Sequence, residues 1–182
     1  MRHDVDQTVE IKARCTDMDR IRNLLSGLGA RLMTVETQTD TFYNAADGRL
    51  KLRRSRSGNL LIGYHRPDLA GPKHCLLGLY ETSDAEGLDK ALSRALGIRA
   101  VVRKEREIFI QGNVKIHLDQ VETLGSFLEI EVLGHQGLDS VESLRSICEE
   151  YMERLDVKPG DLVQAAYVDL LEKSLDKGDR SS

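Results

Sequence analysis

Several short segments alternate ionised and aliphatic side chains with a period of two, the pattern of a β-strand that has one polar face. In the segment 8–14, Thr8, Glu10, Lys12 and Arg14 fall on one face and aliphatic residues fall on the other. The same alternation recurs in three later segments, 50–53, 115–119 and 128–132. An antiparallel sheet often exposes one face to solvent, so polar strand faces alone are ordinary.

Along these strands, side chains with the same sign of charge lie next to each other on one face, and this arrangement is unusual. Glu129 and Glu131 lie two residues apart on one strand face, and so do Lys51 and Arg53. Like charges placed side by side in a sheet repel each other. The rows become favourable when a divalent cation bridges the acids and a polyanion bridges the bases. The pattern therefore predicts a metal and phosphate site spread over a sheet.

Composition limits the class of protein. The chain has 182 residues with 40% hydrophobic content, which suits one domain with a core. Its 26 basic and 30 acidic residues give a net charge of −4, so no global nucleic-acid-binding field is expected. The three cysteines form no Cys-x-x-Cys pair and are expected to be free thiols. With no signal peptide and no membrane span, we expect a cytoplasmic protein without membrane or nucleic-acid partners.

Apolar spacing and capping signals predict four helices. They are Thr16 to Leu28, a helix opened by the capping box Ser83–Glu86 and ended by Gly97, a helix from about Ser140 to Leu155, and a shorter segment from Pro159 to Leu171. We expect a single domain over 1–173 and a flexible polar tail over 174–182.

A weak internal repeat relates the two halves of the chain. Leu25–Arg31 resembles Leu92–Arg99 with one residue inserted, and each copy is preceded by one predicted strand and followed by two. Two curved half-sheets are thus expected, with apolar backs under the helices and charged faces turned into a closed barrel. A single open sheet with its polar side in water explains the same residues, and they leave both alternatives open.

The acidic members of the polar strand faces are candidate metal ligands: Glu10, Asp119, Glu129 and Glu131. Mg²⁺ and Mn²⁺ prefer oxygen ligands, commonly a few carboxylates completed by water and substrate phosphate. His117 lies on the same face as Asp119 and is a candidate for orienting a ligand or carrying a proton. A histidine that is merely hydrogen-bonded is the commoner outcome.

The basic members are candidate phosphate ligands: Lys12, Arg14, Lys51, Arg53, Arg66, Lys104, Arg106 and Lys115. Arginine forks bind phosphate oxygens in pairs and lysine supplies point charge, so this lining suits a chain of phosphates. Arg103 has the opposite strand parity and is assigned to the surface, whereas Lys73 is left undecided. No phosphate-binding Walker loop and no metalloprotease motif is present.

Taken in order, the segments 9–14, 50–53, 64–67, 102–106, 116–119 and 125–131 resemble the CYTH family of triphosphate tunnel metalloenzymes. The resemblance covers about residues 7 to 172. This family includes class IV adenylyl cyclases, thiamine triphosphatases and inorganic triphosphatases. The resemblance implies an α+β fold: an eight-stranded antiparallel barrel, the triphosphate tunnel, with helices packed outside. It also implies divalent metal bound by the acids at one end and a triphosphate held by the basic lining.

One position departs from the family pattern. The hallmark on the first strand is Glu-x-Glu-x-Lys, and this chain has Thr8 in place of the first Glu, followed by Glu10 and Lys12. The loss of one carboxylate implies a single metal site rather than two, or a weaker one.

The expected function is a Mg²⁺- or Mn²⁺-dependent triphosphatase acting on a small-molecule triphosphate, with Lys12, Arg53 and Arg106 as the catalytic residues. A class IV adenylate cyclase, which makes cyclic AMP and pyrophosphate from ATP, is the alternative. A non-catalytic binder of phosphorylated ligands is the third reading, and Thr8 favours it. Neither the identity of the triphosphate nor the oligomeric state, with a homodimer one option, follows from the sequence.

Overall fold

The alternating segments of the sequence form the strands of a closed barrel. The computed structural model describes residues 7–179, with side chains described to residue 175. The eight strands are β1 (Gln7–Arg14), β2 (Arg31–Tyr43), β3 (Arg49–Ser55), β4 (Gly58–His65), β5 (Lys73–Thr82), β6 (Ile98–Gln111), β7 (Val114–Val121) and β8 (Gly125–Gly134). All neighbours pair antiparallel, so the predicted α+β tunnel fold is confirmed and the open-sheet alternative is wrong.

Within residues 7–179, four α-helices and one short 3₁₀ turn pack on the outside of this barrel. They are α1 (Met18–Gly27), α2 (Ala85–Leu96), α3 (Val141–Arg154), the turn Pro159–Asp161 and α4 (Tyr167–Asp179). The first three helices start where a side chain accepts a backbone N–H, at Asp17, Asp84 and Ser140. The cap of α2 is therefore Asp84 and not the predicted Ser83. In the described part of the chain, no helix is long and apolar enough to cross a membrane.

The internal repeat accounts for the way in which the barrel closes. Each half runs strand, helix, three strands, and the order around the barrel is β1-β5-β4-β3-β2-β6-β7-β8. The first strand of each half pairs with the last strand of the other half, β1 with β8 and β5 with β4. The halves also join along β2 and β6. Strand exchange between the repeats thus leaves the sheet without a free edge.

The apolar faces of the strands turn outward and form the core with the helices. Ile11 of β1 and Ile130 of β8 are buried beneath Leu25 of α1 and Leu144 of α3. Because side chains alternate along a strand, this burial directs the ionised faces of β1 and β8 into the barrel. The three cysteines are buried free thiols, as predicted.

The last helix differs from the prediction. It continues to Asp179, so the predicted end at Leu171 is too early and most of the segment expected as a flexible tail is helical. Residues 180–182 lie outside the described residues. Asp169 in the first turn accepts hydrogen bonds from Arg49 (2.9 Å), from Arg99 (2.7 Å) and from the backbone N–H of Ala166 (3.0 Å). These contacts fasten α4 to the barrel.

Removing the charge of Asp169 is expected to loosen this attachment. Burial opposes ionisation, but the bonds from Arg99 and Arg49 outweigh it and lower the pKa of Asp169. Since the folded-state pKa is depressed, the stabilisation is present above the unfolded pKa and is lost as pH falls through the folded one. Asp169→Asn should lower the free energy of unfolding by about 2 kcal/mol at pH 7. The difference from the parent should shrink below about pH 4.

Urea unfolding at several pH values measures this difference. Glu153→Gln on the exposed face of α3 is the matched control and should change stability little. A pH-independent loss in Asp169→Asn would contradict the electrostatic attachment.

Candidate functional site

The barrel encloses a cavity of about 510 Å³ lined by inward-facing residues from all eight strands and by the start of α4. Volumes in this range are typical of small-molecule sites. In the described part of the chain, seven basic residues line the cavity: Lys12, Lys51, Arg53, Arg66, Lys104, Arg106 and Lys115. Five acidic residues line it with them: Glu10, Glu36, Glu81, Glu129 and Glu131.

Seven of the eight predicted phosphate ligands therefore share one cavity, and Arg14 is the exception. Its side chain is exposed at the end of β1, where the guanidinium lies 4.3 Å from the ring centroid of Phe127 and donates to the carbonyl of Leu124. The strand parity of Arg14 is that of Lys12, but the strand ends there. The expectation that Arg14 faces the cavity is wrong for this reason.

Three of the four predicted metal ligands line the cavity. Glu10 of β1 and Glu131 of β8 are register partners on neighbouring strands, and Glu10 accepts from Arg66 at 2.6 Å. Glu129 pairs with Lys12 at 2.7 Å and with Arg106 at 2.5 Å. The pKa of Glu129 is held well below its usual range because Lys12 and Arg106 outweigh the cost of burial.

Asp119, the fourth predicted ligand, lies behind the cavity wall. It is fully buried, and its oxygens accept hydrogen bonds from Arg106 (2.6 Å) and from the Tyr167 hydroxyl (2.8 Å). A carboxylate whose two oxygens are both occupied suits the positioning of Arg106 better than the binding of a metal. The position of Asp119 therefore supports an indirect role.

The sequence pattern did not predict the cluster of ionised side chains around Asp40 of β2. Asp40 is 1% exposed and accepts from Lys51 (2.9 Å), Arg53 (2.7 Å) and Lys104 (3.3 Å). Arg53, Lys104 and Lys51 outweigh the cost of burial and hold the pKa of Asp40 well below its usual range. One carboxylate thus gathers three of the cations in the cavity.

Burial also lowers the pKa of two lysines in the cavity lining. It acts with the charge of Arg106 to lower the pKa of Lys104 to about 7, against the opposing effect of Asp40. Burial and Arg53 lower the pKa of Lys51 to about 8. Both lysines therefore change protonation near neutral pH, unlike lysines on a protein surface.

Strand β2 carries further residues that line the cavity but that the sequence pattern did not identify. Glu36 accepts from Gln38 (2.7 Å) and from the backbone N–H of Ser57 (3.2 Å), in the turn between β3 and β4. Residues 36, 38 and 40 share one strand face, but threonines at 37 and 39 make the opposite face polar too. No alternation of polar and apolar residues was available there to show which face turns inward.

Tyr167 comes from the first turn of α4 and completes one end of the cavity wall. The centroid of its ring lies 4.0 Å from the Lys12 Nζ. It lies 4.9 Å from the ring centroid of Phe127, and these two rings make an edge-to-face contact. Nothing in the strand pattern could identify a helical residue as part of the lining. Lys73, left undecided by the sequence, is buried behind the wall and donates to the carbonyl of Val163.

His117 lies inside the barrel without a good hydrogen bond at Nδ1, which is 3.5 Å from Glu129. Burial and Arg106 lower the pKa of His117, so its imidazole is neutral at pH 7. This position inside the barrel, with Nδ1 free of a close partner among the described residues, fits the predicted proton-carrying role.

Comparison with known proteins identifies the family. The CYTH domain model matches residues 6–167. The chain belongs to the CYTH family. It is 25% identical to a protein of Methanocaldococcus jannaschii named "putative adenylate cyclase", over 89% of this chain and 97% of that one. It is 26% identical to adenylate cyclase CyaB of Aeromonas hydrophila, over 92% and 90% of the two chains. The structure of a Pyrococcus horikoshii protein matches with a TM-score of 0.77 and 25% identity, covering 90% of this chain and 98% of that one.

The CYTH resemblance implies a divalent metal, and the donors fit one only in part. No group of three or more His, Cys, Asp or Glu among the described residues is placed to hold a metal ion. Glu10 and Glu131 do oppose each other at the cavity surface, and Mg²⁺ commonly binds one or two carboxylates with phosphate and water supplying the rest. Thr8, at the position of the missing family acid, is fully buried, and its Oγ1 has no hydrogen-bond partner among the residues that the structure describes.

Neutralising Asp40 should destabilise this CYTH barrel. Asp40→Asn leaves Lys51, Arg53 and Lys104 crowded together without their shared carboxylate. We expect a loss of about 3 kcal/mol in the free energy of unfolding at pH 7, measured with urea. Glu105→Gln, on the exposed face of β6, should leave stability nearly unchanged. Equal stability of the two variants would show that Asp40 does not organise the cations.

Proposed function

We propose that this protein is a divalent-metal-dependent enzyme that binds a linear triphosphate in the barrel cavity and hydrolyses it. The convergence of seven basic side chains and the Glu10–Glu131 pair on one cavity carries this proposal. Arginines and lysines at this density suit a chain of phosphates rather than a single anionic group.

The charge balance of the cavity supports the binding of a triphosphate together with a divalent cation. With every lysine protonated, the described lining has seven basic and five acidic groups, an excess of two positive charges. The buried Asp40, Asp119 and Lys73 behind it reduce this excess to one, and deprotonation of Lys104, whose pKa is about 7, reduces it further. A triphosphate carries about four negative charges when its terminal group is nearly doubly ionised. The side chains alone leave most of this charge unbalanced, and a divalent cation adds two positive charges.

Several basic groups are ready to receive phosphate oxygens. Arg66 is almost wholly buried, and its Nη1 donates to Glu10. Within the described part of the chain, its Nε and Nη2 have no hydrogen-bond acceptor. Asp119 and Asp40 orient Arg106 and Arg53, whose guanidinium groups line the cavity. Such preorganised donors stabilise charge as it develops during transfer of a phosphoryl group.

The proposed chemistry divides between the metal and the chain. When bound, the metal supplies charge neutralisation at the phosphate oxygens. Lys12, Arg53 and Arg106 bind and orient the phosphates. Lys104, with its pKa of about 7, and the neutral His117 are the groups able to hold a proton released by the attacking water.

Adenylate cyclase activity is the second candidate, and the names of the two curated relatives favour it. In that reaction a ribose 3′-hydroxyl attacks the alpha phosphorus and pyrophosphate leaves. Hydrolysis needs only the phosphate chain, metal and water, for which the cavity residues suffice, and for this reason it is placed first. Binding without turnover is the third candidate.

Product analysis separates the three candidates. The purified protein is incubated with Mg²⁺ or Mn²⁺ and with ATP, thiamine triphosphate or inorganic tripolyphosphate. Release of orthophosphate supports the triphosphatase, whereas cyclic AMP with pyrophosphate supports the cyclase. Tight binding with no product supports the non-catalytic binder.

Arg53 should contribute to triphosphate binding, and Arg103 supplies a control on the outer face of β6. Arg53→Ala removes a guanidinium from the cavity and should raise KM about tenfold or more, the loss typical of a charge-assisted hydrogen bond. Arg103→Ala should leave KM unchanged. Steady-state kinetics on the best substrate measures both, and damage by Arg103→Ala alone would mean that the phosphate lies elsewhere.

Glu131 is the proposed metal ligand that is easiest to test, since no ion pair within the described residues depends on it. Glu131→Gln should weaken Mn²⁺ binding by about tenfold, as loss of a hard anionic ligand implies. Stability should hardly fall, because the change also relieves repulsion with Glu10. Calorimetric titration of Mn²⁺ with non-hydrolysable triphosphate measures the affinity. The exposed Glu122→Gln is the control, and equal affinities in the two variants would remove Glu131 from the site.

A further inference from the structure

Tyr167 reaches the charged cavity from α4 and contacts groups that hold or supply positive charge there. Its hydroxyl donates to Oδ2 of Asp119 at 2.8 Å, and the same oxygen accepts from Nη2 of Arg106. The ammonium group of Lys12 lies over the ring, 4.0 Å from the centroid, and that of Lys104 lies over it at 5.2 Å. One side chain thus contacts two separate parts of the basic lining.

The hydroxyl of Tyr167 acts as a donor and not as an acid or base. Burial and the charge of Asp119 raise the pKa of Tyr167 well above its usual range, so the hydroxyl keeps its proton at neutral pH. Nε and Nη2 of Arg106 donate to the two oxygens of Asp119. A hydrogen bond that fixes the plane of this carboxylate therefore also fixes the plane of the guanidinium group.

The ring gives Lys12 a second contact. Lysine has a flexible stem and a compact charge, so its one ion pair within the described residues, with Glu129 at 2.7 Å, fixes the ammonium group incompletely. The face of an aromatic ring attracts an ammonium group that lies over it. The Lys12 Nζ is therefore held between a carboxylate and the ring of Tyr167.

The segment that carries Tyr167 is itself fastened to the barrel. The backbone N–H of Val163 donates to the carbonyl of Lys12 at 2.8 Å, and the carbonyl of Val163 accepts from the Nζ of Lys73 at 3.0 Å. Asp169 holds the first turn of α4, as described above. Tyr167 therefore has a fixed backbone from which it can orient other side chains.

We propose that Tyr167 is a positioning residue of the triphosphate site: its hydroxyl orients Arg106 through Asp119, and its ring orients Lys12. This inference rests on the proposed function and deepens it, because it makes α4 part of the arrangement that supports turnover. Replacement of Tyr167 leaves every cation of the cavity in place. The loss should therefore fall on the preorganisation of charge, and so on kcat, more than on substrate binding.

Two replacements of Tyr167 separate the hydroxyl from the ring. Tyr167→Phe removes the hydroxyl alone and should lower kcat about tenfold, the scale of one charge-assisted hydrogen bond, with KM within about twofold of the parent. Tyr167→Leu also removes the ring and should lower kcat about tenfold further. Steady-state kinetics on the best triphosphate substrate measures both. A rise in KM with unchanged kcat would overturn the inference.

A double-mutant cycle tests whether the hydroxyl acts through Arg106. Arg106→Lys keeps the charge and removes the fork that Asp119 holds. In that background, Tyr167→Phe should cost no more than about twofold in kcat, since no guanidinium is left to orient. Losses that add independently would overturn the assignment of the hydroxyl to Arg106.

Tyr43 supplies a matched control. It is buried where β2 packs against α2, and its hydroxyl donates to Asp89 at 2.5 Å. Tyr43→Phe removes a hydrogen bond of the same kind outside the cavity. It should lower the melting temperature about as much as Tyr167→Phe does and leave kcat unchanged. Equal losses of kcat in the two variants would make the effect one of stability and would overturn the inference.

NMR of the side chains reports orientation without turnover. The Nε–H signal of Arg106, assigned by its loss in Arg106→Lys, should exchange with water faster in Tyr167→Phe than in the parent. The ε-protons of Lys12, assigned through Lys12→Arg, should show an upfield ring-current shift in the parent and in Tyr167→Phe and lose it in Tyr167→Leu. Unchanged exchange and unchanged shifts would overturn the inference.

The kinetic and spectroscopic results separate this inference from the proposed function. If the spectra change as expected but the parent turns over no triphosphate, Tyr167 orients the cations and the proposed function fails. If the parent turns over a triphosphate and Tyr167→Phe keeps its kcat, the inference fails and the proposed function stands.

Discussion

The interior of this barrel depends on the enclosure of one carboxylate, Asp40, by three cations. Lys51, Arg53 and Lys104 come from two strands that flank β2, and all three contact Asp40. A closed barrel with these cations alone would be strained by their repulsion at short range and reduced dielectric. With Asp40 present, the bases can be concentrated in a cavity without breaking the fold.

The same compensation recurs at the second set of charges. Asp119 and Glu129 hold Arg106, while Glu129 also holds Lys12. Ions paired in this way are already partly desolvated and fixed in orientation before any ligand arrives. A ligand then needs to reorganise few side chains, which is the general basis of electrostatic preorganisation.

The inward faces of β1, β3, β7 and β8 alternate with aliphatic residues, and this pattern predicted most of the cavity lining. It left a closed barrel and an open sheet as alternatives, and the closed barrel was predicted from the resemblance to the CYTH family. It did not predict Asp40, since threonines on the opposite face of β2 remove the contrast that shows which side is buried. Arg14 was misplaced because parity does not show where a strand leaves the barrel. Tyr167 enters the lining from a helix, and its contact with Asp119 depends on tertiary packing that no local pattern encodes.

The exchange of first strands between the repeats has a consequence for how the chain reaches its folded state. Arg14 at the end of β1 pairs with Phe127 of β8, so closure joins segments that are more than one hundred residues apart. Neither repeat can complete its own half of the sheet, and a nascent chain that lacks β8 leaves β1 without one of its two partners. Non-local pairings of this kind slow folding. The cavity closes only when β1 has paired with β8, so the full set of charges and counter-charges comes together only in a chain that has reached its last strand.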